Sequence, residues 1–469
     1  MFYAWDDRNL DHALLIEQEF TRVYKDYQDR PRPIREAACL QVQLPGMMQP
    51  IEAGDWFFGR KKYRPLGVSP SYWNDETDGL DHITYYADLD RLERVKNRAG
   101  QSAENVAAIQ DLIDFWSVEN ANATIRSRFD ETMQRELPSD LWTQESGAIF
   151  GLYRYAGAQL DYDKLVRLGI PGFRAEIKQR LAQGVDAEGQ AFLDGLTMML
   201  DTLDDLLERF GEMAQPLQPS PQKHLMIQAS HDLRKHAPSS YYQALQLIWL
   251  YSAFSGTLDY GRLDVALGDW FCHDLDHGIL SEQQAMEMTL SAYRLMQQVH
   301  GRDTRVILGG VGRRNPENAD RFAIFAMEAA GRHMEAQPQL SLRMHQGMNP
   351  DVRQAAMDLL AKGLTYPLLY NDEASMEAVM QSMHVTEEEA EQYAFFGCGE
   401  YVIAHKSMGT PNDIINLLKV LEVTLNNGVD PVSGRPHGLA LGAFSDFHTF
   451  DELLTAYKKQ TEYFAAISA

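Results

Sequence analysis

The stretch FFGCGEYVIAHKS holds Cys398 between Gly397 and Gly399, with Glu400 two positions further on. Glycines on both sides favour a tight, accessible backbone over a packed one. An ionic thiolate nucleophile needs a nearby cation or helix N-terminus, whereas a neighbouring carboxylate raises the thiol pKa. His405 and Lys406 compensate only if the loop folds back on itself. A neutral thiol that gives up a hydrogen atom, with Glu400 acting separately as a base, suits the pair better than ionic attack does. The competing account is the ordinary one for a free cysteine, a small buried hydrophobe.

Other polar groups carry weaker signals. His273 and His277 in HDLDH have the spacing of a helical metal site, but HExxH is absent and Gly278 follows, so a helix C-terminus is the simpler account and no metal site is expected. Asp259, Arg262 and Asp264 in LDYGRLD fit a surface turn, with Arg262 either structural or substrate-binding. Asn371, Asp372 and Glu373 fit a helix N-terminus as well as they fit a site. GGVGRR matches neither GxGxxG nor a Walker loop.

The elements around these residues change character along the chain. Residues 1–245 read as mainly helical, broken by LPGMMQPIEAGDWFFGRKKYRPLGVSPSYW. In AEGQAFLDGLTMMLDTLDDLLERFGEMA the apolar residues recur at three- and four-residue spacing, which predicts a helix with one buried face, stopped by the prolines of QPLQPSPQ. From 246 onward, the short apolar runs RVIL, QLSLRMH, YPLLY and YAFF alternate with helical segments. Ser281 with Gln284 and Thr386 with Glu389 have capping-box spacing, as do Thr449 and Glu452 near the end. The alternation predicts an α/β fold with a parallel sheet or barrel. Each run ends in polar or glycine residues, and chemistry in parallel α/β architectures gathers at the carboxyl ends of strands. Arg343, His345, Asn371 and Asp372 are therefore expected to bind or orient a substrate beside Cys398.

Composition bounds the partners. The 469 residues are 45% hydrophobic and 23% charged, values of an ordinary globular protein with a real core. A net charge of −24, spread along the chain, disfavours nucleic acid and anionic membrane. The three cysteines, Cys39, Cys272 and Cys398, form no CxxC, which indicates neither a disulfide framework nor a zinc ribbon and fits a reducing cytoplasm. No basic and apolar leader opens the sequence, and no run of about 18 apolar residues occurs, so a cytoplasmic location is expected.

Taken in order, RPIREAACLQVQL…IEAGDWFFGR, GRLD at 261–264, ILGG at 307–310, QPQLSLRMH at 337–345, YPLLYNDE at 366–373, GCGE at 397–400 and LLKVLEVTLNNGVDPVSGR resemble the glycyl radical enzymes. That is the superfamily of pyruvate formate-lyase and the radical diol and choline lyases. The resemblance implies a ten-stranded barrel of two parallel half-barrels, with the cysteine loop threaded into its centre and helices around it. This chain would supply the first half. A large helical N-terminal part would occupy 1–245, and a β/α half-barrel with the cysteine loop (397–401) would occupy 246–469. The Cys-x-Glu pattern of the dehydratase and decarboxylase branches falls on Cys398 and Glu400. By that resemblance Cys398 becomes a thiyl radical that removes a hydrogen atom and Glu400 takes a hydroxyl or carboxyl proton; Asp413 and His405 are the candidate general acids for loss of the leaving group. A thiyl route does not need the thiolate, which removes the objection raised by the adjacent carboxylate. Gly397 stands where formate-lyase chemistry uses a second cysteine.

Two departures from the family pattern matter. Gly399 and Tyr401 replace a usual bulky residue and a frequent proline, and no Arg-Val-x-Gly-Tyr radical loop occurs in the 469 residues. The expectation is thus a glycyl radical lyase, a dehydratase of a small hydroxylated substrate. No cofactor is expected to bind directly. The protein glycyl radical would lie outside this chain, on a missing C-terminal part or a second chain, installed by a radical SAM activase with an iron-sulfur cluster. A homo-oligomer is also expected. Alone, the chain is expected to be inactive. A radical decarboxylase of an arylacetate-like acid, and an inactive fragment or binding subunit, are the rival readings.

Overall fold

The computed structural model describes residues 10–60, 68–69, 86–87, 89–98, 100–119, 127–137, 147–151, 157–255, 257, 259–299, 304–396, 399–409 and 413–468. Two compact units divide the chain: residues 1–65 with 157–409, and residues 66–156 with 410–469. The units therefore cut across the change of texture near residue 245, because the helical N-terminal residues 1–65 and 157–245 pack with the β/α segment.

In the first unit a four-stranded parallel sheet runs in the order β1 (Asp259–Arg262), β2 (Arg305–Gly309), β3 (Gln339–Met344) and β4 (Leu368–Asn371). Helices fill the crossovers, as parallel pairing demands: α1 (Leu263–Asp276) and α2 (Glu282–Val299), then α3 (Pro316–His333), then α4 (Pro350–Ala361). β4 runs directly into α5 (Asp372–Met383). The predicted caps are present. Ser281 and Gln284 exchange hydrogen bonds ahead of α2, and Thr386 with Glu389 forms a reciprocal box.

Strand alternation divides the sheet chemically. Val306, Leu308, Leu340 and Leu342 point to one face and join the large apolar core with the surrounding helices. The predicted amphipathic helix belongs to that core. It spans Ala187–Ala214, is capped by Asp186, and buries Leu203, Leu206, Leu207 and Phe210. The DWFFGR segment is tied to the same core, since Phe58 N donates to Gln246 Oε1 and Gln246 Nε2 donates back to Phe58 O. The register puts Arg305, Ile307, Gly309, Gln339, Ser341, Arg343, Leu368 and Tyr370 on the opposite face, and Ile307 there meets residues 393–395 and 402–403.

Two elements differ from the sequence expectation. DYGR in LDYGRLD is the first parallel strand and not a surface turn, its Asp259 and Tyr260 being buried. YAFF is not a further parallel strand: β5 (Tyr393–Phe396) pairs antiparallel with β6 (Glu400–Ile403) as a hairpin, Phe396 opposite Glu400 and Tyr393 opposite Ile403. Its inward side forms a separate small core in which Ile307 meets Tyr393, Ala394, Phe395, Val402 and Ile403.

In the second unit, the strand Asp413–Ile415 pairs antiparallel with Ile149–Gly151. Ala148, Ile149, Val420, Val423 and Phe464 form its core. The NNGVDPVSGR turn is organised by Asp430, which accepts from Lys419 Nζ at 2.5 Å and from Ser433 Oγ at 2.6 Å. Among the described residues no helix is long and apolar enough to cross a membrane.

Candidate active site

The hairpin's two ends are held by different means. At its base, arginines from neighbouring strands converge on the backbone where the chain enters β5. Arg262, at the end of β1, donates to Glu391 O at 3.1 Å, to Gly309 O at 3.0 Å and to Val311 O at 2.7 Å. Arg343, in β3, donates to the same Glu391 carbonyl at 3.0 Å and to Tyr393 O at 2.9 Å. Its remaining donors form a two-point ion pair with Asp372, Nε to Oδ1 at 2.9 Å and Nη2 to Oδ2 at 3.0 Å. Both side chains are buried. The Arg343 guanidinium also lies over the Tyr393 ring, 3.7 Å from its centroid, while the Tyr393 hydroxyl donates to Asp372 Oδ1 at 2.5 Å.

Burial by itself would raise the Asp372 carboxyl. The Arg343 hydrogen bonds and charge outweigh it and hold the group below its ordinary value, helped by the Tyr393 hydroxyl and Val311 N–H. The ILGG motif follows from this packing: a Cβ at Gly310 would lie 2.6 Å from Arg343 Nε and 2.8 Å from Asp372 Oδ2, at a φ of +84°.

The opposite end closes through residues 397–399. Gly397 and Cys398 lie outside the described residues. Gly399 has φ +125° and donates its amide to Phe396 O and to Glu400 Oε2, both at 3.1 Å. Glu400 is thus folded back onto the Gly399 amide, half-buried. The aromatic rings beneath it are tightly packed. Phe395 stacks on Tyr370 of β4 at 3.6 Å between centroids, and Tyr401 packs edge-on against Phe395 while its hydroxyl meets Ser375 Oγ at 3.1 Å. Arg305, buried at the start of β2, donates to Ser341 Oγ at 2.8 Å and Gln339 Oε1 at 3.2 Å, and its charge favours the ionised form of the nearby Tyr370 phenol.

The other expected site residues have definite places. Asn371 caps α5, its Oδ1 accepting from Ala374 N at 2.7 Å. Half-buried His345 follows β3, and its carbonyl accepts from Met348 N at 3.1 Å. His405 sits in the turn after β6, past the Ile403–Tyr393 end of the hairpin. Its Nδ1 is 3.7 Å from Asp161 Oδ2. Asp413 begins the strand paired with Gly151 in the second unit. His273 and His277 mark the C-terminus of α1, as the spacing implied: their rings stack at 4.4 Å and His277 Nδ1 contacts His273 O at 2.8 Å. Among the described residues no cluster of three His, Cys, Asp or Glu side chains is arranged to hold a metal.

Sequence reading thus picked polar strand ends, of which Arg343, Asp372 and Asn371 have hydrogen-bonding partners within the protein. It passed over Arg305, Ser341 and Tyr370. The alternation of QLSLRM does place Ser341 with Arg343, but Tyr370 reaches their face only through the register of β3 on β4.

Comparison with known proteins gives one consistent result. The family model described as pyruvate formate lyase-like matches residues 11–469. A probable dehydratase, YbiW, of Escherichia coli K12 is 24% identical over 95% of this chain and 59% of its own length. The (2S)-3-sulfopropanediol dehydratase of Klebsiella oxytoca is 24% identical over 98% of this chain and 59% of its length. The glycerol-bound form of the B12-independent glycerol dehydratase from Clostridium butyricum superposes with a TM-score of 0.79 at 22% identity, covering 97% of this chain and 60% of that one. The chain therefore spans about three-fifths of the length of the relatives it matches.

Proposed function

Because the chain belongs to the pyruvate formate lyase-like family of glycyl radical enzymes, we propose that it carries the thiyl-forming cysteine loop of a dehydratase acting on a small hydroxylated substrate. The observation that carries this reading is the Cys-x-Glu hairpin laid on the inner face of the parallel sheet. Its register places Glu400 opposite Phe396 at the turn that contains Cys398. The dehydratase names of the relatives favour loss of water over other outcomes.

In this reading Cys398 would become a thiyl radical by losing the hydrogen atom of its S–H bond to a protein glycyl radical, installed by a radical SAM activating enzyme and carried on a second chain or on sequence outside residues 1–469. The Cys398 thiyl takes a hydrogen atom from the carbon bearing a hydroxyl, breaking that C–H bond and forming S–H. Glu400 accepts the hydroxyl proton, which turns the α-hydroxy radical into a more electron-rich ketyl. The ketyl expels the β-hydroxyl, which leaves as water with a proton from a general acid. The resulting carbonyl-stabilised radical takes the hydrogen atom back from Cys398. Glu400 serves as a base because it is half-buried at the turn and committed only to the Gly399 amide in the described contacts. We infer an anaerobic, cytoplasmic setting from this radical chemistry.

The test is anaerobic co-expression with the activating enzyme and the glycyl-bearing partner, followed by EPR and assay against diols, amino alcohols and arylacetates. The expected result is a glycyl doublet with diol turnover. Cys398→Ala should keep the doublet and lose turnover, and Glu400→Gln should lower kcat by about 10²–10⁴-fold. Turnover of arylacetates alone would replace dehydration with decarboxylation. Diol turnover that survives Cys398→Ala would overturn the assignment.

A further inference from the structure

Gly399 leaves an unusual gap in the cysteine loop, since the resemblance leads one to expect a bulky residue between Cys and Glu. The structure fills that gap from another element. Among the described residues, chain neighbours aside, an ideal Cβ built on Gly399 meets the Tyr370 hydroxyl oxygen at 3.1 Å. Tyr370 comes from β4, on the same face as Arg343, so the sheet and not the loop supplies the group beside Glu400.

The phenol is fixed on two sides. Its ring is stacked on Phe395 with centroids 3.6 Å apart and planes 25° from parallel. On another side stands the Arg305 guanidinium, oriented by Ser341 and Gln339, whose charge acts on the phenol. Burial raises the Tyr370 phenol above its ordinary value, and the nearby Tyr401 and Glu400 push the same way against Arg305, so the group keeps its proton. A phenol O–H beside a guanidinium is oriented away from that cation, since both carry positive charge at their hydrogens. Tyr370 is half-buried, and its hydroxyl oxygen lies on the Gly399 side, where a bound hydroxyl would receive its proton.

We propose that Tyr370 is a specificity-determining residue of this site, donating a hydrogen bond to a second hydroxyl of a vicinal diol while Glu400 faces the first. This rests on the dehydratase reading. Gly399 is then required: any side chain there would displace the phenol hydroxyl, and φ +125° already excludes most residues.

A direct test needs no turnover. Cys398 alkylation by iodoacetamide is followed by mass spectrometry of its peptide in the full chain, with increasing propane-1,2-diol, glycerol or propan-1-ol. The other two thiols are slow internal references, because burial pushes Cys39 up to about 12 and Cys272 up to about 11. Diols should protect Cys398 in the wild type better than propan-1-ol does. Tyr370→Phe keeps the ring stack, and should raise the diol midpoint about tenfold while leaving propan-1-ol unchanged, because a site that pairs a substrate hydroxyl loses only that discrimination when the partner is removed. The uninhibited alkylation rate and the melting temperature of Tyr370→Phe should match the wild type, which separates lost recognition from a disturbed loop. If diols protect both proteins with the same midpoint, Tyr370 is a packing residue and the proposal fails while the dehydratase reading stands. If diols protect neither protein, the diol dehydratase reading fails and takes the proposal with it.

Discussion

The base and the tip of the cysteine hairpin are made of opposite materials. At the base, the donors of buried Arg343 are divided between the Asp372 carboxylate and the backbone carbonyls of Glu391 and Tyr393, and the terminal nitrogens of Arg262 grip the carbonyls of Glu391, Gly309 and Val311. At the tip there is a glycine at positive φ, a half-buried carboxylate and a phenol. A buried ion pair adds little net stability over apolar packing, but it penalises any arrangement that separates its members. The pair therefore works as a register lock. It fixes where the hairpin starts, so that a tip without bulky side chains of its own can still be placed accurately.

The sharpest way to break this contrast is to remove one partner of the lock. Arg343→Met leaves the Asp372 carboxylate buried beside Tyr393 with no countercharge, and should cost about 3–5 kcal/mol in urea unfolding. Arg343→Met combined with Asp372→Leu should recover a large part of that loss. Recovery of stability without recovery of Cys398 protection by diols would separate register from stability. The same pair sets an acid limit. Asp372 has a depressed carboxyl value in the fold, so its contribution is complete above the unfolded value of about 3.9 and is lost as pH falls through the lower folded value. Asp372→Asn should flatten the stability profile below about pH 4 relative to wild type. A profile unchanged in that window would mean another carboxylate governs acid unfolding.

A smaller effect probes the same end through its neutral member. Tyr393→Phe keeps the ring beneath Arg343 but deletes the hydroxyl that donates to Asp372 at 2.5 Å. A hydrogen bond to a charged acceptor contributes about 1.5–3 kcal/mol, and that is the expected loss in denaturant unfolding. The loss should shrink in the Asp372→Leu background, where the acceptor is gone. An equal loss in both backgrounds would assign the effect to ring packing.

Much of this arrangement was legible in the sequence, and the remainder was hidden for identifiable reasons. Periodicity and caps reveal the strands at 305–309, 339–344 and 368–371 and the helices between them, because each is a local pattern. β1 is missed because Asp259–Arg262 has only four residues, with a glycine and two charges, and becomes a strand through pairing with β2. YAFF looks like one more strand of the sheet because a short apolar run does not declare its partner. Polar residues at strand ends resemble ligand contacts for a similar reason. Residue type does not say whether the partner is protein or substrate, and Arg343 meets Asp372 from 29 positions away. The complementarity of Gly399 and Tyr370 is of the same non-local kind.

Three consecutive residues at the junction of β4 and α5 divide these tasks between them, and they set the smallest prediction. Tyr370 faces the tip, Asp372 faces the base, and Asn371 between them turns away to cap α5. Loss of a side-chain cap costs about 1 kcal/mol, whereas glycine at the same position costs only a few tenths. Asn371→Ala should therefore lower unfolding stability by about 1 kcal/mol and Asn371→Gly by less. Both should leave the diol midpoint for Cys398 protection where it is, because the cap oxygen reaches only Ala374 N in the described contacts. A shifted midpoint in Asn371→Ala would mean that α5 moves Tyr370 and Asp372 together when its first turn frays. The base and the tip would then be coupled through the strand end they share and could not be tuned separately.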